Sequence, residues 1–289
     1  MRVAVVSGAG KILEQLKDKT PVHEGPEATA VLMSQMIAKL QKNHPSLKGV
    51  GIGSPGPLSR QEKKIFQTPN LPGFDGFPLG TRVEKLTSLP VILEHDSKCA
   101  AFGEKYFGQA LNVRNIVLLT FGTGIGGGVF VDDKMVYGKS DGACEIGHMT
   151  LFPDGILCPC GNRGCLERYV SALAIERRAQ EESGKEWKNV ELFEAYKSGD
   201  AFAKSFLKKI ATELSIGIAS LVNIFEPDMI VLAGGLFTSG GGPIPELLRA
   251  GIENRCFASS RKNLKIVAST LGGDAGVLGA AGRVFAEIR

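Results

Sequence analysis

The stretch from Glu145 to Glu167 limits what this chain can fold into more than any other part of it. It reads Glu145-Ile146-Gly147-His148, then Cys158-Pro159-Cys160-Gly161-Asn162-Arg163-Gly164-Cys165-Leu166-Glu167, and holds one of the four histidines and three of the six cysteines. Cys-x-Cys followed by a third Cys within one short loop lets three thiolates converge on one ion. His148, upstream of a Pro/Gly-rich turn, supplies a fourth ligand. A Cys3His set is a common structural zinc site, and thiolates with imidazole argue against magnesium or calcium there. Scattered thiols and a surface histidine are the plain alternative; metal spacing in a reducing-compartment protein speaks against it. A pinned loop would also fix Glu145 and Glu167, whose carboxylates accept hydrogen bonds from hydroxyls and so suit a polyol or a sugar.

Composition narrows the class. The 289 residues suffice for one or two domains, and 43% hydrophobic residues suffice for a full core. The 37 glycines point to many tight turns and close backbone approaches. The formal charge of +4 is spread along the chain, so it leaves no electrostatic footprint for nucleic acid. No apolar run reaches transmembrane length and no signal peptide is visible. Cys99, Cys144 and Cys256 show no pairing pattern. These features predict a soluble cytoplasmic protein.

Taken in order, Arg2 to Val6 and a segment near Lys11 to Glu14 read as strands about a Ser7-Gly8-Ala9-Gly10 turn. Apolar residues at helical spacing predict a helix over Glu27 to Gln41. Val50 to Gly53 reads as a buried strand, Gln67 to Phe74 as a loop, and Pro90 to Glu94 as a strand running into Asp96 and a helix through Phe107. A second cycle starts with a strand at Ile116 to Phe121 and its hairpin partner Gly126 to Val131. Helices are predicted from Cys165 to Phe225, broken near Gly184 to Asn189. Strands follow at Met229 to Ala233 and Leu264 to Ala268, then a closing helix from Ala275 to Ile288. Strands alternating with helices mean a parallel or mixed α/β sheet.

Three motifs carry further chemistry. In Thr120-Phe121-Gly122-Thr123-Gly124-Ile125-Gly126-Gly127-Gly128, glycines let backbone N–H groups approach an anion and Thr123 adds a hydroxyl. No Gly-Lys-Ser/Thr follows, so it is not a Walker A loop, and an ordinary Gly-rich hairpin is the other reading. Asp96 lies where a strand meets a helix, a place where ligands meet open α/β sheets. It can accept the proton of an attacking hydroxyl, or simply cap the helix. Gly234-Gly235 ends a buried strand, which a strand-to-helix turn also explains.

Glu-Ile-Gly-His followed by Cys-x-Cys-Gly-x-x-Gly-Cys-x-Glu resembles the signature of the ROK family, which takes its name from repressors, open reading frames and sugar kinases, and the resemblance extends over nearly the whole chain. It implies an actin-like ATPase (ribonuclease H-like) fold, two α/β domains flanking a cleft, and both halves here do open with a β-hairpin followed by α/β units. The expected domains are 1–109 joined by the helix 275–289, and 110–274 with the zinc loop and a helical layer. The resemblance implies zinc on His148, Cys158, Cys160 and Cys165. Glu145, His148, Glu167, His95 and Asn70 in Pro-Asn-Leu-Pro-Gly would contact the sugar, although a turn Asn held by its own backbone explains Asn70 equally well. Asp96 would be both the sugar contact and the catalytic base. Gly122, Thr123, Gly124 and Gly126 would hold the phosphates of ATP, and Gly234 and Gly235 its adenosine. ATP and magnesium are the implied co-reactants, a hexose or amino-hexose the substrate, and a homodimer the assembly, with contact expected around Ser198 to Phe225.

The sequence departs from the family at three places. His95 stands where the family has Asn before its Asp, which opens the identity of the sugar. Cys144 replaces the usual Gly before Glu145. Met1 to Val6 matches the second strand of the family's opening hairpin, and the preceding strand with Asp-x-Gly-Gly-Thr is not present. A late start explains this, and so does a variant with crippled phosphoryl transfer. The expected activity is therefore an ATP-dependent hexose kinase of the glucokinase/fructokinase type. The alternatives are a catalytically impaired ROK sugar-binding protein and a sugar-responsive transcriptional regulator.

Overall fold

The computed structural model describes residues 1–66, 71–237 and 242–288. From the N-terminus, β1 (Arg2–Val6) and β2 (Ile12–Lys17) form a hairpin, followed by α1 (Pro26–Asn43), β3 (Val50–Ser54), the short β4 (Leu58–Ser59) and β5 (Lys64–Ile65), α2 (Leu79–Thr87), β6 (Val91–His95) and α3 (Asp96–Phe107). Then come β7 (Ile116–Phe121), β8 (Ile125–Val131), β9 (Lys134–Met135), α4 (Glu167–Val170), α5 (Ala172–Ser183), α6 (Asn189–Ser198) and α7 (Ala201–Phe225). The chain ends with β10 (Met229–Ala233), α8 (Ile244–Ile252), α9 (Ala258–Arg261), β11 (Lys265–Ala268) and α10 (Ala275–Glu287). Two compact units result: Met1–Leu111 with Tyr137–Ala143 and Asp274–Arg289, and Asn112–Val136 with Cys144–Gly273.

In the first unit β1 pairs antiparallel with β2, and β3 parallel with β6 in the register Ile52↔Leu93 and Ser54↔His95. No described strand joins these two ladders into one sheet. Leu93, Val91 and Ile52 turn into a core shared with Ile37, Ile65, Phe74 and Val83. β2 runs to Lys17, past the Glu14 expected from sequence, because Leu16 and Lys17 still pair with Val3 and Arg2. Helix α2 was not legible: Leu79 and Val83 are buried one turn apart, but Gly80 and Thr87 fill the remaining inward positions and blur the apolar period.

A buried polar network ties β6 to α10 and to segment 137–143. The Glu94 carboxylate, at 1% exposure, accepts from the Tyr137 hydroxyl (2.7 Å) and from Arg283 Nε (3.1 Å). Burial, then the Glu94 charge, pushes the Tyr137 phenol well above its ordinary range, so it stays a donor. Arg60 lies over the Tyr137 ring, 3.2 Å from its centroid, and its Nε donates to Asp141 (2.8 Å); Lys98 Nζ donates to the Asp141 carbonyl (3.0 Å). Removing one partner of such a buried pair strands the other charge. Glu94→Ala is therefore expected to cost about 3–5 kcal/mol in denaturant unfolding; a loss under about 1 kcal/mol would show the network to be dispensable.

The second unit is built on one mixed sheet in the order β11-β10-β7-β8-β9. β7, β10 and β11 are parallel, and β8 turns back antiparallel on β7. All five β10 residues are buried, as expected for a strand covered on both faces. α7 lays Phe206, Ile210, Leu214, Ile218 and Val222 into this unit's own core, so most of its apolar face is used internally. Arg178 from α5 and Glu213 from α7 form a buried bidentate pair. Among the described residues no helix is long and apolar enough to cross a membrane.

Candidate functional site

The loop before α4 is folded by its own backbone. Leu151 N donates to Gly164 O (2.7 Å), Leu166 N to Met149 O (2.8 Å), and Cys158 N to Asn162 O (2.8 Å). Isolated bridges pair Thr150 with Cys165 and Leu157 with Arg163. Helix therefore begins at Glu167 rather than at Cys165, because Cys165 is held in this extended pairing. Cys144, in the position that resembles a family glycine, has φ +71, the left-handed backbone that glycine adopts without cost.

This folding brings His148, Cys158, Cys160 and Cys165 together. Their ligand atoms all lie within 4.8 Å of one another, and among the described residues no other such convergence of His, Cys, Asp and Glu is found. Cys160 Sγ lies 3.6 Å from Cys165 Sγ, and Cys158 Sγ 3.7 Å from His148 Nδ1. A tetrahedron of ligands at zinc–sulfur distance has edges of about 3.8 Å, so the donor set fits zinc in both chemistry and spacing. As thiols these groups are unevenly matched: burial first of all pushes Cys158 up to about 12 and raises Cys165, whereas the Asn162 N–H lowers Cys160. A dication offsets the burial penalty by neutralising the thiolates.

Glu167 borders this cluster. Its Oε1 lies 3.4 Å from Cys158 Sγ and 3.9 Å from His148 Nδ1, while its Oε2 accepts from Ile125 N at 3.3 Å. The carboxylate thus spans from the sulfur cluster to the Gly122–Gly124 turn between β7 and β8. Gly124 must lack a side chain for this, since a Cβ there would sit 2.5 Å from Glu167 Oε2. Thr123 and Gly122 are exposed at the turn, and Gly126 pairs with Thr120 in the hairpin. Leu173 N at the start of α5 donates to Gly122 O (3.4 Å). Glu145 is exposed just before the short helical turn Ile146–His148.

Gly234 follows β10 with φ +93, and a Cβ there would lie 2.3 Å from Phe121 O; Gly235 meets nothing within 4 Å. Gly234 therefore has a packing reason of its own. In the first unit, Asp96 is the first residue of α3, directly after β6. Its Oδ1 accepts from Ser97 N (2.7 Å) and lies 3.1 Å from His95 Nδ1, which also contacts Ser97 Oγ (2.8 Å). His95, not Asp96, is the N-cap, so the simple capping role does not fall to Asp96. No described residue hydrogen-bonds to Asp96 Oδ2, and its side chain is 57% exposed. Asn70 lies outside the described residues. Sequence reasoning missed Arg168, Ser171 and Arg177, which line a cavity beside Thr123 and Glu167; Ser171 could have been found as the N-cap of a predicted helix.

These two units, with their strand–helix order and mixed sheet, have the actin-like ATPase fold. The model of the ROK family matches residues 1–286, and the chain belongs to that family. It is 34% identical over 296 residues to a glucokinase of Thermotoga maritima, covering 96% of this chain and 92% of that one. It is 30% identical to a xylose repressor of Caldicellulosiruptor bescii, covering 96% of this chain and 74% of the repressor. Among solved structures it resembles a ROK family glucokinase from Streptomyces griseus in complex with glucose and AMPPNP, with TM-score 0.79, 29% identity, and coverage of 96% and 93%.

Proposed function

We propose that this chain is an ATP-dependent sugar kinase that phosphorylates a hexose hydroxyl, with Asp96 as general base. The observation that carries the reading is the placement of Glu167. One carboxylate reaches from the thiol–imidazole cluster to the glycine turn, so a group suited to sugar hydroxyls adjoins one suited to phosphates. Relatedness to a glucokinase, and to a glucokinase structure holding glucose and AMPPNP, supports the same class.

In this reading Glu145, His148, Glu167, His95 and Asn70 orient the sugar by hydrogen bonds to its hydroxyls. Asp96 Oδ2 takes the hydroxyl proton as the oxygen attacks the γ-phosphorus and the bond to the β–γ bridging oxygen breaks, leaving sugar phosphate and ADP. Thr123 and the amides around Gly122, Gly124 and Gly126 hold phosphate oxygens, and Gly234 and Gly235 border the adenosine. Positioning and charge stabilisation supply most of such catalysis. His148, Cys158, Cys160 and Cys165 would hold zinc, whose contribution is to fix the loop. Magnesium is held mainly by substrate phosphates with one or two carboxylates, and would enter with the nucleotide.

A coupled assay of the full chain with ATP and glucose, fructose, mannose or N-acetylmannosamine tests this. Sugar-dependent release of ADP is the expected result. Sugar binding without ADP release would overturn it in favour of the second reading, a sugar-responsive regulator without turnover, which the xylose-repressor relative favours.

A further inference from the structure

At the start of α3 the Asp96 carboxylate has a ring nitrogen beside it. His95 Nδ1 lies 2.8 Å from Ser97 Oγ, 3.1 Å from Asp96 Oδ1 and 3.4 Å from Ser97 N. These neighbours make different demands on the ring. An ionised carboxylate only accepts, whereas a hydroxyl both donates and accepts. Ser97 N already donates to Asp96 Oδ1 at 2.7 Å, so its longer approach to Nδ1 is the weaker branch. A bare Nδ1 would set its lone pair against a carboxylate oxygen. A protonated Nδ1 instead donates to Asp96 Oδ1, with Ser97 Oγ as a second acceptor. The proton's place is thus assigned from the ring's neighbours.

The two side chains differ in how firmly they are held. That of His95 is 18% exposed, and its backbone N–H donates to Glu94 Oε1 (2.9 Å). Glu94 is fixed in turn by the Tyr137 hydroxyl and Arg283. The Asp96 side chain is 57% exposed, and the last torsion of an aspartate is a broad, two-fold one. With Oδ1 taking both the Ser97 N–H and the ring N–H, that torsion has one setting, and Oδ2 is the oxygen left for chemistry. A misplacement of about 1 Å in a reacting group can cost about 10²-fold in rate.

We propose that His95 is a positioning residue: its Nδ1–H holds Asp96 Oδ1 and so aims Oδ2 at the hydroxyl that is to be phosphorylated. This deepens the kinase reading and rests on it. It gives His95 a second task beside the sugar contact, carried by the other ring nitrogen.

The experiment has two arms, both on the full chain. Nitrogen-15 labelling of the four histidines reports by NMR where the His95 proton sits, with the His95 signals assigned by their loss in His95→Asn. A proton on Nδ1 of the wild type is expected. A bare Nδ1 overturns the proposal, whether or not the chain turns over. The second arm is the coupled assay on two variants, of which Asn can place its amide nitrogen where Nδ1 stands and Gln where Nε2 stands. Positioning predicts that His95→Gln lowers kcat by about 10–100-fold and that His95→Asn keeps a kcat about tenfold above that of Gln, with a raised KM because it lacks the Nε2 contact. Equal kcat in the two variants, or a higher kcat in Gln, overturns the proposal and leaves His95 as a sugar contact alone. Unchanged melting temperatures in both variants keep a folding defect from imitating the result. A failure of the kinase reading itself looks different: the wild type releases no ADP, and the positioning role then falls even with the ring proton in place.

Discussion

Asp96→Asn is expected to lower sugar-dependent ADP release by about 10²–10⁴-fold, the usual contribution of a positioned general base, while sugar affinity by titration stays within about twofold. The substitution isolates proton acceptance. Asn keeps an oxygen where Oδ1 takes the Ser97 N–H, so the start of α3 keeps its local hydrogen bond. His95 remains the N-cap, and the exposed side chain leaves no cavity. What is lost is the negative oxygen at Oδ2, to which no described residue hydrogen-bonds. Asp96→Ala should be equally inactive but also lose the Ser97 contact, so a melting temperature that falls only for Ala would separate the two functions. Turnover retained within a few-fold in Asp96→Asn would remove Asp96 from the base role.

Much of this was legible because local chemistry and tertiary context agree. Asp96–Phe107 and Ile116–Phe121 start and end where their apolar pattern and flanking residues say they should. The thiol–imidazole cluster could be read because thiolate spacing has few other uses, and the loop's hydrogen bonds do bring the four donors together. Legibility failed where tertiary contacts overrode the local pattern. Cys165 looked helical but is held in a bridge with Thr150. Helix α8 offers Ile244, Leu248 and Ile252 at clean four-residue spacing, yet the Gly/Pro run before it masks its start. Gly234 looked like a ligand motif but is equally demanded by the Phe121 carbonyl. The Glu94–Arg283 pair joins residues 189 positions apart, and no spacing rule announces it.

Cys165→Ala should remove zinc from the purified chain and lower its melting temperature by about 10 °C or more, since the free energy of a structural zinc site is folding free energy. Cys99→Ala provides the matched comparison. Both sulfurs are fully buried, so both substitutions delete the same buried volume. Cys99 lies in α3 with its Sγ beside Gly53 and outside the thiol–imidazole cluster, and its loss should cost what a small cavity costs, about 1 kcal/mol, with zinc content unchanged. Cys165 has Cys160 Sγ at 3.6 Å and shares its cluster with His148 and Cys158, so its loss leaves three donors around an ion that structural sites hold with four. The damage should also spread in a defined direction. Glu167 touches Cys158 and His148 at one end and Ile125 N at the other, so a loosened loop should weaken sugar binding more than adenosine binding. A chelator applied to the wild type should reproduce both effects, and restored zinc should reverse them. If Cys165→Ala and Cys99→Ala lose the same few degrees, or if the wild type carries no zinc, the loop is held by its backbone bonds alone, and Glu167 owes its position to the glycine turn.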